Sequence, residues 1–140
     1  MMLTKHTDYA FRVLIYLASM KQKQTTIQAI ADVFGISKTH LMKIVNALVN
    51  KGWIASTRGK NGGIRLNIEA KQLSLKDIVV YMEHNLDPVN CTSPMCCIAG
   101  LCELKPILLD AQKEYLNVLE QYSLADLLDK NISQKLSLVG

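Results

Sequence analysis

The chain has no apolar run approaching the roughly 20 residues needed to cross a bilayer. Its start, Met1-Met2-Leu3-Thr4-Lys5-His6-Thr7-Asp8, lacks the charged-then-apolar order of a signal peptide, so a cytoplasmic protein is expected. No cysteine precedes Cys91 or follows Cys102, which argues against the disulfide framework of a secreted domain. No Ser/His/Asp set, paired-carboxylate pattern or phosphate loop stands out, which argues against an enzyme. Internal repeats and low-complexity segments are absent too.

Acidic residues are scarce in one half only. Residues 1–70 hold ten Lys or Arg against three Asp or Glu, a net +7. Residues 71–140 hold six against nine, a net −3. A basic half joined to an acidic half suggests that one end meets a polyanion while the other does something else. Hydrophobic residues make up 49% of the 140, enough for one core with a small appendage.

Helical spacing of Tyr9, Ala10, Val13, Leu14, Tyr16 and Leu17 predicts a first helix from Thr7 to Met20. A second runs from Ile27 to Phe34 and stops at Gly35, a residue suited to a left-handed turn. Ser37 caps a third, which continues to about Asn50 before Gly52. Strands are predicted at Trp53–Thr57 and Ile64–Asn67, with Asn61-Gly62-Gly63 supplying positive φ angles for the hairpin turn. Ser74-Leu75-Lys76-Asp77 reads as a capping box opening a helix to about His84. Leu86–Leu101 has no clean period and reads as a loop, followed by a long helix from Glu103 to Tyr122. Ser123-Leu124-Ala125-Asp126 resembles a second capping box, for a short helix to about Asp129. The tail after Asn131 is expected to be mobile or lightly docked.

The order of residues around Gly35 has a specific meaning. Small Ala31 lets two helices cross closely, Gly35 reverses the chain, and apolar Ile36, Leu41 and Ile44 follow. The third helix then presents Ser37, Lys38, Thr39, His40 and Lys43 outward, where they can reach base edges and phosphates in a major groove, with Asn46 a weaker candidate. Arg58, Lys60, Asn61 and Arg65 surround the glycine-rich hairpin tip and suit a phosphate backbone or minor groove. A helix–Gly–helix alone is a weak signal. With a basic hairpin at this distance it becomes a winged helix-turn-helix that binds double-stranded DNA.

Cys91, Cys96, Cys97 and Cys102 fall within 12 residues, a density that favours metal or redox chemistry over buried thiols. Four residues separate Cys91 from Cys96 and five separate Cys96 from Cys102, and the only nearby histidine is His84. Zinc sites usually use closer pairs, whereas thiolates are the normal ligands of iron–sulfur clusters. Spacing favours iron–sulfur over zinc and leaves open which of Cys96 and Cys97 is the ligand.

Leu3-Thr4 with Thr7-Asp8-Tyr9-Ala10, the wing Arg58-Gly59-Lys60-Asn61-Gly62-Gly63-Ile64-Arg65-Leu66, Val89-Asn90-Cys91 through Cys102, and Tyr122-Ser123-Leu124-Ala125-Asp126-Leu127 carry a resemblance. Over nearly its whole length the chain resembles the winged-helix iron–sulfur regulators that include IscR and NsrR, and within them the NsrR-like, nitric-oxide-sensing branch. The resemblance implies a cluster, commonly [4Fe–4S] with [2Fe–2S] the alternative, on Cys91, Cys96 and Cys102, with Cys97 the extra thiol. It points to Asp8 of the partner subunit as fourth ligand, ahead of Glu103 or His84. IscR-like proteins use wider cysteine spacing and a histidine beyond the third cysteine; here no histidine follows Cys102.

Leu101, Leu104, Leu108, Ala111, Tyr115, Val118 and Tyr122 recur at spacings of three and four, a coiled-coil-like seam. Ile107, Leu109, Leu116 and Leu119 form a second apolar set that can pack on the chain's own domain. The resemblance turns the seam into a homodimer helix. The expected protein is mainly α with a small β-hairpin wing: residues 1–84 bind DNA, 85–102 form the cysteine loop, and 103–140 form the dimerisation helix and a short C-terminal helix. Its expected role is a repressor that releases operator DNA when nitric oxide reacts with the cluster. The alternatives are an iron–sulfur or redox-status regulator of the IscR-like branch and a zinc-binding interaction adaptor.

Overall fold

A computed structural model describes residues 2–139; Met1 and Gly140, the outer ends of the predicted segments, lie outside it. The elements are α1 (Lys5–Ser19), α2 (Ile27–Phe34), α3 (Lys38–Lys51), β1 (Ile54–Thr57), β2 (Gly63–Leu66), α4 (Leu75–Met82), α5 (Leu104–Glu120) and α6 (Lys130–Val139). The fold is mostly helical with one two-stranded antiparallel hairpin, the architecture expected for a winged helix-turn-helix.

Hydroxyl caps set the helix starts: Thr4, Thr26, Ser37 and Ser74 each accept a backbone N–H from the first turn of α1, α2, α3 and α4. Gly35 (φ 64°) and Gly52 (φ 87°) end α2 and α3 in the left-handed conformation, as their positions predict. Helix α1 is the axis of the core. Ala10, Val13, Leu14 and Leu17 are completely buried, against α3, α4 and the hairpin. Ile30, Leu41, Ile44, Leu48, Ile78 and Leu124 complete the same buried cluster.

The hairpin pairs Ile54 with Leu66 through Thr57 with Gly63. Its glycines work differently from the sequence expectation. The positive φ belongs to Gly59 (107°), one residue after Arg58, rather than to Asn61-Gly62-Gly63. Gly62 and Gly63 are needed for close approach: a Cβ on Gly63 would lie 2.6 Å from the carbonyl oxygen of Thr25, and one on Gly62 would collide with that of Thr57. The reason is a third edge. Thr25 and Ile64 exchange both backbone hydrogen bonds, at 3.0 and 2.8 Å, which clamps the wing to the residue pair that opens α2.

One C-terminal expectation needs correction, and the lightly docked tail proves to be a helix. The helix after Ser123 is a single 3₁₀ turn, Leu124–Leu127, held by the predicted capping box with Asp126. The tail is a ten-residue helix, α6, whose Leu136 packs on the core beside α1. The sequence signal was weak because α6 offers only Ile132, Leu136 and Leu138 as large apolar residues before its end. No helix among the described residues is long and apolar enough to cross a membrane.

The clamp yields a prediction. Gly63→Ala forces a methyl against Thr25 and is expected to lower unfolding free energy by about 1–3 kcal/mol in urea denaturation. An unchanged denaturation midpoint would mean that the wing is not held at Thr25.

Candidate functional site

On the helix-turn-helix face, the Ala31 carbonyl accepts from both Gly35 and Ile36, which closes the turn and sends α3 outward. Lys38, Thr39 and Lys43 are exposed, and Ser37 is exposed although its Oγ accepts the His40 N–H at 3.2 Å as the cap of α3. His40 is less outward than its position suggested. It is half-buried, with the Tyr9 ring edge-on at 5.1 Å between centroids. Arg58, Lys60 and Asn61 are exposed at the wing tip, and Arg65 is half-buried on β2.

The cysteine loop is a run of tight turns. Asn90 organises its first part: its Oδ1 accepts from the Thr92 N–H, the Thr92 hydroxyl and the Ser93 N–H, and its Nδ2 donates to the Ser93 carbonyl. The Cys96 N–H donates to the Cys91 carbonyl at 3.0 Å, and the Cys102 N–H to that of Ile98 at 3.1 Å. Gln112 of α5 donates to the Leu86 carbonyl and ties the loop to the long helix. These turns place Cys91, Cys96 and Cys102 on the wall of one cavity of about 740 Å³, which Cys97 does not line.

All four thiols are free. Among the described residues, no three His, Cys, Asp or Glu side chains converge on a point that one metal ion could occupy. Ligands spread around a wall suit a group with several irons better, since each iron takes its own thiolate. Two further features favour an anionic occupant. The Leu104 N–H donates to Cys102 Sγ at 3.4 Å, and the uncapped N-terminus of α5 with Lys105 forms part of the same wall. The residues present fit a thiolate-bound cluster.

Asp8 does not line this cavity in its own chain. It accepts two hydrogen bonds from Arg12, at 2.9 and 3.2 Å, and that bonding pushes the Arg12 pKa up. Glu103 lines the cavity; His84 does not, and packs instead on His6 with ring centroids 5.5 Å apart. Burial, followed by His84 and His40, pushes His6 below the usual histidine range, against Glu83. Sequence reasoning missed this grouping. His6, Tyr9, His40 and His84 connect the start of the cysteine loop to the start of α3 across α1, and nothing in their spacing along the chain signals it. Asn90 was more accessible, because Asn before Cys-Thr-Ser is a side-chain turn pattern.

Helix α5 has no buried residue within the chain. Leu104 (53%), Val118 (53%) and Tyr122 (50%) are exposed, as is Ala111, whereas Leu108 and Tyr115 are half-buried. Burial, then the Glu83 charge, raises the Tyr115 pKa. The set assigned to the chain's own domain divides: Leu119 packs on the core and Leu116 is half-buried, but Ile107 and Leu109 stay exposed. They lie in the first two turns of α5.

Basic recognition helix and basic wing together define a winged-helix DNA-binding regulator. The sequence matches the family described as "Rrf2: Iron-dependent Transcriptional regulator" over residues 3–130. The structure is similar to CymR (YrzC), the global cysteine regulator of B. subtilis, at 25% identity and TM-score 0.74, covering 91% of this chain and 95% of that one. It is also similar to Staphylococcus aureus CymR (24%, TM-score 0.73, 91% and 100% covered) and to T. potens IscR (22%, TM-score 0.71, 91% and 85% covered). The chain belongs to the Rrf2 family of transcriptional regulators. Members of that family bind DNA, are typically dimeric and are not enzymes.

The side-chain bracing of the loop is testable. Asn90→Ala is expected to speed amide exchange at Thr92 and Ser93 about fivefold, the equivalent of about 1 kcal/mol. Unchanged exchange at both amides would show that the turn does not depend on Asn90.

Proposed function

We propose that this regulator is a dimeric repressor of the NsrR-like kind, with an iron–sulfur cluster, [4Fe–4S], held by Cys91, Cys96 and Cys102 and by Asp8 of the partner subunit. The observation that carries the reading is the single cavity lined by those three thiols and not by Cys97. When bound, the cluster supplies iron with which nitric oxide can react. An oxygen ligand holds iron less firmly than thiolate does, which leaves a position open to a small diatomic molecule. Asp8 becomes available only by leaving Arg12, an ion pair with both side chains more than 40% exposed and therefore weak. Its absence from the wall of its own chain's cavity is consistent with use in trans. The second copy seats on the ridge Leu104, Leu108, Ala111, Tyr115, Val118 and Tyr122, of which Leu104, Ala111, Val118 and Tyr122 are exposed, and this sets two recognition helices against a two-fold operator.

The packing at α1 supports a route for the switch. Ligand loss frees the Cys91–Cys102 loop, whose first anchor is His84 on His6. The same helix carries Tyr9 against His40, at the start of α3. Release of the loop and of Asp8 thus acts on the first two turns of α1, and through Tyr9 on the pose of Ser37, Lys38, Thr39, His40 and Lys43.

Anaerobic purification with metal and sulfide analysis tests the reading. A brown protein with about four irons per chain is expected, which nitric oxide bleaches as DNA is released. Cys96→Ser is expected to abolish the cluster and Cys97→Ser to retain it, while Asp8→Ala leaves a cluster with altered nitric-oxide response. A colourless zinc protein overturns the reading. A cluster indifferent to nitric oxide but responsive to oxidant shifts it to redox-status sensing. Retention of the cluster in Cys96→Ser would overturn the ligand set.

The wing has its own test. Arg58→Ala and Lys60→Ala are each expected to weaken DNA binding and to lower the slope of log K against log salt by about one. Equal affinity over a salt series would remove Arg58 and Lys60 from the interface.

A further inference from the structure

A slot of about 230 Å³ opens where α6 docks on α1, beside the last residue of α2. Ile15, Phe34, Ile132 and Leu136 form its apolar wall, and the side chains of Arg12 and Lys135 border it. We propose that this slot binds a free medium-chain fatty acid, its alkyl chain inside and its carboxylate on the Arg12 and Lys135 cations. The family match ends at residue 130, where α6 begins, so half of the lining residues belong to a segment outside that match. The proposal stands apart from the cysteine cavity and from the DNA-facing surface.

Charge selects an acid. Arg12 donates from Nε to Asp8 Oδ1 at 3.2 Å and from Nη2 to Oδ2 at 2.9 Å. A guanidinium carries more N–H donors than these, and Arg12 Nη1 has no acceptor among the described residues. Lys135 makes no ion pair among the described residues. Asp8, Arg12 and Lys135 together leave one positive charge uncompensated, which a monoanion neutralises. With Asp8 turned to a cluster, as proposed above, both cations are free and the preference for an anion rises. The Tyr9 ring, 5.4 Å from the central guanidinium carbon, helps to orient Arg12 beside the slot.

The apolar wall sets the rest of the ligand. An apolar cavity of about 150 Å³ takes up a six-carbon ring, so this slot has room for a chain of about eight carbons. The side chains of Ile15, Phe34, Ile132 and Leu136 are hydrocarbon and offer no hydrogen bond. A sugar, nucleotide or amino acid would lose its hydration here without compensation, whereas an alkyl chain gains by leaving water. Phe34 is half-buried with its ring edge-on to Tyr16, 6.3 Å between centroids, which fixes the wall beside the Gly35 turn. On the other side Leu136 is half-buried and Ile132 exposed, so α6 covers the slot only in part. An alkyl chain fills what α6 leaves open and holds that helix to α1.

The test uses the full-length protein with octanoate as probe. Calorimetry is expected to show saturable binding, one octanoate per chain, with a Kd of about 0.1–1 mM. Hexanoate, two methylenes shorter, and octanol, which lacks the charge, are each expected to bind about tenfold more weakly. Amide resonances of Ile15, Phe34 and Leu136 should shift during the titration. Lys135→Glu turns the net charge at the slot negative and is expected to lose octanoate and to take up octylamine. Lys135→Gln keeps the length of an exposed side chain, so about a fivefold loss of octanoate at an unchanged thermal melt is expected. Full retention of octanoate by Lys135→Gln overturns the carboxylate contact. Absence of saturable octanoate binding overturns the site. Octanoate and octanol of equal affinity would leave an apolar slot without selectivity for an acid, which overturns it as well. Shifts confined to residues 89–109 would place the acid in the cysteine cavity and remove it from α6.

Discussion

Everything in this chain depends on the burial of one side of α1. Ala10, Val13, Leu14 and Leu17 have no exposed surface, and Tyr16 has almost none. Each large apolar side chain removed from water in this way contributes about 1.5–3 kcal/mol before conformational entropy is set against it. More important than the sum is the geometry. Helices α2, α3, α4 and α6, the hairpin and the turn at Leu124–Leu127 all touch α1. No two of them can move independently of it, because close-packed interfaces shift between discrete arrangements rather than deform smoothly.

This gives the polar end of α1 its weight. The Thr4 N–H and hydroxyl both donate to Glu83 Oε1, at 2.8 and 3.2 Å, which binds the start of α1 to the end of α4. His6 stacks on His84 one residue further along, and Tyr9 touches His40. The end of α4 is also where the cysteine loop begins. Three contacts within the first two turns of one helix therefore join the loop's anchor to the cap region of the recognition helix. These contacts are small and partly exposed, whereas Ala10, Val13, Leu14 and Leu17 on the core side of α1 are completely buried. That contrast suits a switch: the weak end can exchange partners while the core holds.

Much of the fold was legible in the sequence because it rests on local chemistry. Thr26 or Ser37 before an apolar period, and Gly35 or Gly52 after it, specify helix limits through hydrogen bonds and φ angles that need no tertiary context. The wing was legible for the wrong reason. Gly62 and Gly63 looked like turn residues, but Thr25, nearly 40 positions away, decides what Gly63 must be. At the cavity, spacing could not separate Cys96 from Cys97, since adjacent residues differ only in the direction of their side chains. The turn that the Cys96 N–H makes to the Cys91 carbonyl turns one thiol to the wall and leaves the other off it. The histidine grouping and the Asp8–Arg12 pair were illegible for the same reason: each depends on which faces of α1, α3 and α4 meet.

The long helix α5 makes the opposite argument from α1. Seventeen residues carry a continuous apolar ridge, and the chain buries none of it completely. Isolated helices of this length are marginal in water, and this one is anchored mainly by Leu119, by the Leu75 N–H bonded to the Tyr122 carbonyl, and by Lys76 paired with Glu120. These three lie at its C-terminal end, and Gln112, bonded to the Leu86 carbonyl, adds one at the middle. The N-terminal half, with Leu104 and Ile107 exposed, stands beside the cysteine cavity. A second copy that covers this half would stabilise the helix and close the open side of the cavity in one step. In the proposed dimer, packing and whatever occupies the thiol-lined wall would be energetically coupled through the same two turns of α5. A signal at the cysteines need not travel far to be felt at the subunit interface.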